Sequence, residues 1–166
     1  PVFAAEGWRL GEPDLVLEMP KAFEVPASGP DVFRNFVIPT GLTEDRWLRA
    51  IEYRPSARAV VHHAVFSAVG GGTLTARDGL DGRPGFGGLS AVGLIGGGQD
   101  SRGLGGWAVG GSPVPLPEGV AMRIPKGSDF LLQLHFHPTG KAAAEKSLIG
   151  IYFAKNPPTQ DMLSLD

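Results

Sequence analysis

Through its first third the chain alternates rather than cycles. "DLVLEM", "VFRNFVIP" and "RWLRAIEYRP" place apolar residues at roughly every second position, the period of a half-buried strand and not that of a helix. Pro13, Pro20, Pro26, Pro30, Pro39 and Pro55 cut this region into pieces too short for ordinary helices. Thr43, Glu44 and Asp45 have the residue types that open a short helical turn, but Arg46 to Tyr53 reads as strand. The sharpest alternation comes late, in "DFLLQLHFH". There Phe130, Leu132, Leu134 and Phe136 fall on one face, and Leu131, Gln133, His135 and His137 on the other. "PEG" and "PKG" upstream are turn chemistry. "SLIGIYFA" is a further strand, and "NPPTQ" breaks the chain again. Only "AAAEKS", Ala142 to Ser147, resembles helix, and it is too brief to hold one alone. Many short strands with Gly/Pro turns predict an all-β antiparallel sandwich or jelly roll.

Residues 70–111 break the alternation. They hold 17 of the 25 glycines, with "GGG" at both 70–72 and 96–98. A free linker gains nothing from apolar residues, yet Phe86, Leu89, Val92, Leu94, Ile95, Leu104 and Trp107 recur here. The stretch is therefore expected to be a long, ordered glycine-rich loop within one domain, residues 1–166. Trp107 reads either as an anchor pinning that loop to the core or as part of a lid or partner-facing surface.

Composition narrows the classes. At 42% hydrophobic and 19% charged, the chain carries enough apolar material for one core and is too apolar for disorder. The net charge is -2 with the signs interleaved, so nucleic acid is not an expected partner. No apolar run is long enough to span a bilayer. The absence of cysteine excludes disulfides, thiolate ligands and a Cys nucleophile. Pro1 in place of Met suggests a processed or trimmed start. No "GKS" or "GKT" follows the glycine runs, which argues against a phosphate cradle. Ser67 and Ser90 lack a nucleophile-elbow context. Asp31, Glu44, Asp45, Glu52, Asp78 and Asp81 are scattered and read as solvated surface.

The candidate chemistry lies in the histidines. All four fall in two clusters, His62-His63 within "VVHHAVF" and His135-x-His137 within "LLQLHFH". Leaving a buried polar group unsatisfied costs about 1–3 kcal/mol, so either each ring finds a hydrogen-bond partner or several share an ion. Neutral imidazoles without thiolate suit Cu, Zn, Fe or Ni. Adjacent residues of a regular strand point to opposite faces. A shared ion would therefore need a bulge or twist that re-aims one of His62 and His63. The pattern alone leaves both readings open.

The stretches "DVFRNFVIPTGLTEDRWLRAIEYRPSARAVVHHAVF" and "LPEGVAMRIPKGSDFLLQLHFHPTGK" resemble the N-terminal half of the copper type II, ascorbate-dependent monooxygenases. This is the family of peptidylglycine α-hydroxylating and dopamine β-monooxygenases, and the wording is nearest its bacterial members. The resemblance covers roughly residues 14–158, poorly in the glycine-rich stretch. It implies a β-sandwich holding one electron-transfer copper, Cu(II)/Cu(I), on His62, His63 and His135. His137 is then an outer hydrogen-bond partner, a residue of the site rim or a weaker ligand. It also implies an ascorbate-like reductant and an extracytoplasmic setting. The partner would be a C-terminal domain carrying the oxygen-activating copper on a His-x-His pair and a Met. The surroundings of Met19, Met122 and Met162 do not resemble that Met site, and the chain ends at Asp166, where such a half would begin. On this reading the isolated chain binds copper and exchanges electrons without hydroxylating substrate efficiently. Two rivals remain: a three-His zinc hydrolase or lyase, and a non-catalytic β-sandwich binding module with structural histidines.

Overall fold

Strand β9, Asp129–Phe136, runs through the middle of the molecule, and all eight of its residues are buried. Its alternation works as the sequence pattern implies. Phe130, Leu132, Leu134 and Phe136 enter the main core, while Leu131 joins a second, smaller apolar cluster on the other face. The structure, a computed structural model, describes residues 7–88 and 101–162. Before β9 come β1 Leu15–Glu18, β2 Phe23–Val25, β3 Val32–Pro39, β4 Arg46–Arg54, β5 Val61–Val69, β6 Phe86–Gly87, β7 Arg102–Ala108 and β8 Val120–Ile124. After it come β10 Ala143–Glu145, β11 Leu148–Phe153 and β12 Gln160–Asp161. One 3-10 turn, Thr75–Arg77, is the only helical element among the described residues.

Two five-stranded sheets, ordered β1-β11-β4-β8-β12 and β6-β3-β9-β5-β7, enclose the core, with a short β10-β2 pair beside them. Every pairing is antiparallel except that of β12 with β8. The fold is thus the all-β sandwich expected. Phe23, Phe130, Phe136, Leu132, Leu134, Ile149 and Ile151 are almost wholly withdrawn from water. At about 1.5–3 kcal/mol for each such side chain, packing of this kind lets the chain dispense with disulfides.

Three local expectations change. Thr43 and Glu44 form a bend that leads through Asp45 into β4, not a helical turn. "AAE" within Ala142 to Ser147 is β10 rather than helix, paired with Phe23–Val25. Tertiary contact overrides the local Ala/Glu preference because Glu145 is fully buried there. Its carboxylate accepts the backbone N–H groups of Ser56 and Ala57 at 3.0 and 2.5 Å and the Ser147 hydroxyl at 2.6 Å.

The glycine-rich stretch is also not one uninterrupted loop. β6 and β7 lie inside it, and β7 is an edge strand paired along β5. Glycine serves that pairing directly, since a Cβ at Gly106 would lie 2.7 Å from the Ala64 carbonyl oxygen. Trp107 packs against the core, as an anchor would. Leu89, Ser90, Val92, Leu94, Ile95 and the glycine run at 96–98 lie outside the described residues.

Candidate metal centre

Strand β5 reaches the histidines with one residue too many. Val61 pairs with Phe136 and His63 with His135, so His62 has no opposite number on β9. Such a bulge re-aims a side chain that regular pleating would send to the far face. The His62 and His63 rings consequently turn toward the same place. Their centroids lie 4.9 and 4.7 Å from that of His135. The backbone stays anchored around the irregularity: His137 N–H donates to the Val60 carbonyl at 2.9 Å, and Val109 N–H to the His62 carbonyl at 3.3 Å.

The rings converge through one kind of atom. His63 Nδ1 lies 3.3 Å from His62 Nδ1 and 3.1 Å from His135 Nδ1. Metal–nitrogen bonds of about 2.0–2.1 Å place tetrahedral donors roughly 3.3 Å apart, so the separations suit a shared ion. Without one, a proton on His63 Nδ1 would have to serve both neighbouring nitrogens. With one, each lone pair has its own bond. The three histidines are a group that can hold a metal ion, and among the described residues no other such group occurs.

Asp31 decides which nitrogen of His135 is available. Its Oδ2 lies 2.7 Å from His135 Nε2 and its Oδ1 2.7 Å from His137 Nδ1. A carboxylate only accepts, so His135 carries its proton on Nε2 and directs the Nδ1 lone pair into the cluster. A carboxylate behind a ligating imidazole is a recurrent way of orienting metal ligands. Phe33 stacks on the other side of His135, with centroids 4.2 Å apart and planes 12° from parallel, and fixes the ring's tilt.

Exposure grades across the cluster. His62 is exposed, His63 half-buried and His135 buried, while His137 stands on the rim with its side chain 66% exposed. Burial, then the nearby His135 and His62, hold the His63 pKa below its ordinary value, which keeps a neutral ring ready to donate. Hydrogen bonds from His137 and then His135 lower the Asp31 pKa.

Sequence reading therefore picked out the three converging rings and placed His137 at their edge. It missed Asp31, which had read as solvated surface. The other scattered acids are also engaged. Asp81 pairs with buried Arg34, Asp45 with Arg123, and Glu44 with Arg46. Asp78 accepts the Gly85 N–H, and Glu52 accepts two backbone N–H groups. Met19 and Met122 are buried in the core and Met162 is exposed. Neither a family model nor a curated protein matches the chain.

Proposed function

We propose that His62, His63 and His135 bind one copper ion, and that this domain is the electron-transfer half of an ascorbate-dependent, O2-using copper monooxygenase that hydroxylates C–H bonds. The observation that carries the reading is the convergence of three Nδ1 atoms across a bulged strand pair. The resemblance of the flanking sequence to the copper monooxygenases selects copper from the metals that imidazoles accept. Copper so held supplies one-electron exchange between Cu(II) and Cu(I).

The chain's own residues have separable tasks. His135, braced by Asp31 and Phe33, supplies the rigid donor. His63 stays neutral through burial. His62, the exposed member, faces the side from which a small-molecule reductant such as ascorbate or a second, oxygen-activating copper domain would approach. His137 shares Asp31 with His135 and keeps that carboxylate ionised. The same reading puts the protein outside the cytoplasm. Among the described residues no helix is long and apolar enough to cross a membrane.

The test is metal analysis of protein purified without added metal, followed by electron spin resonance. One copper per chain, with a Cu(II) signal bleached by ascorbate, is expected. A spectroscopically silent zinc centre would overturn the copper reading in favour of a hydrolase or lyase, and no metal would favour a binding module.

A further inference from the structure

A second concave site lies away from the histidines, between the edges of the two sheets. β8 pairs with β4 only from Arg46 to Leu48. Beyond that, among the described residues, the β8-side edge of β4 receives one further backbone bond, from Leu116 N–H to the Arg49 carbonyl at 2.8 Å. Across the gap runs β7, the edge strand of the other sheet. The sandwich is left open there as a cleft of about 570 Å³, within the range of small-molecule sites.

Its lining is cationic and aromatic. Arg9, Arg49, Arg54 and Arg58 contribute four positive charges, and Tyr53 and Trp107 contribute rings 5.2 Å apart. The one acid in the lining, Glu52, is buried and occupied with the backbone N–H groups of Arg9 and Leu10 at 2.9 and 3.1 Å. None of the four arginines lies within ion-pair distance of a carboxylate among the described residues. Arg58 instead sits over the Trp107 ring, 5.7 Å from its centroid, and Arg54 over Trp8 at 4.9 Å. Guanidinium groups held on aromatic faces remain able to take a carboxylate in forked geometry.

We propose that this cleft binds a small, flat organic anion, its carboxylate held by the arginines and its ring laid against Trp107, which buried Tyr53 backs. At about 570 Å³ the site is too large to be filled by a bare inorganic anion, and its charge disfavours a neutral aromatic. The assignment stands whether or not the three histidines hold copper, because no histidine lines the cleft.

Calorimetric titration of the whole chain tests it with three probes: naphthoate, the neutral naphthamide and inorganic phosphate. Naphthoate is expected to bind saturably, and each of the other two about tenfold or more weakly. The double variant R49Q/R58Q should weaken naphthoate by about tenfold with an unchanged unfolding temperature. Raising salt from about 0.05 M to about 0.5 M should weaken it several-fold through screening. Naphthamide or phosphate binding as tightly as naphthoate overturns the proposal. So does an unaffected double variant, or no saturable heat up to roughly 10 mM naphthoate, the weak end of specific association. The probe comparison uses unaltered protein, so it decides the matter even if the variant fails to fold.

Discussion

Gln133 and His135 sit two residues apart on the same face of β9, and their surroundings resolve polarity in opposite ways. Gln133 meets Asn35 on β3: its amide nitrogen donates to Asn35 Oδ1 at 2.9 Å, and Asn35 donates onward to the carbonyls of Phe86 and Gly88. That cluster is closed, every step ending on a protein acceptor. Next to it, His135, His63 and His62 turn their Nδ1 atoms toward one another. The amide pair completes itself donor to acceptor, whereas the three imidazoles form a group that could hold a metal ion. The difference separates a structural polar core from a candidate metal centre on a single strand face.

Breaking the open cluster should have the largest effect. His63→Ala or His135→Ala removes a donor outright. Copper affinity, measured by competition with a chelator, is expected to fall by more than the roughly 10–100-fold typical of losing an outer partner, while the fold persists by circular dichroism. Retention of full affinity in either variant would refute the three-imidazole centre. Asp31→Asn comes next. The Asn amide can donate to His135 Nε2, favouring the tautomer with its proton on Nδ1, so affinity should fall by about 10–100-fold. An unchanged value would mean that the carboxylate does not set the tautomer.

The closed cluster should respond in the converse sense. Gln133→Leu leaves Asn35 Oδ1 without its donor in a buried site, a loss of about 1–3 kcal/mol. Urea unfolding should register it, whereas copper affinity should stay within about twofold. If affinity fell with stability, the two clusters would not be separable.

The smallest effect concerns a third polar group of the same sheet. Arg34 donates to Asp81 at 2.5 and 2.7 Å and to the carbonyls of residues 83, 84 and 85. The Arg34 hydrogen bonds hold the Asp81 pKa below the ordinary carboxylate value. The folded pKa is thus lower than the unfolded one. The contribution is complete above about pH 4, the unfolded pKa, and is lost as pH falls toward the folded one. Asp81→Asn should flatten the acid limb of the stability–pH curve, read from thermal unfolding between about pH 5 and pH 2, and leave neutral-pH copper binding unchanged.

How much of this was legible follows from where the information lies. The alternation in "DFLLQLHFH" states both faces of β9, because each residue's direction depends only on its place in the strand. The histidine pair was visible as an anomaly, and the need for a bulge followed from pleating alone. Asp31 was not legible. It is 104 positions from His135 and reaches it only because β3, which begins at Val32, pairs with the end of β9. β10 misled for a related reason: Ala143–Glu145 has helical residue types locally, and its conformation is set by β2 and by what Glu145 must hold. The glycines of β7 read as loop because their use, close approach to β5, is a property of a partner distant in sequence.

The unpaired residue on β5 also says how such a centre can arise. On either side of His62 the ladder already has the register of an uninterrupted strand pair, with Val61 against Phe136 and His63 against His135. One unpaired residue is thus all that separates a cross-strand histidine pair from a three-histidine group that could hold a metal ion. Removing His62 would bring Val61 and His63 into a regular ladder at the loss of the Val109 N–H bond to the His62 carbonyl.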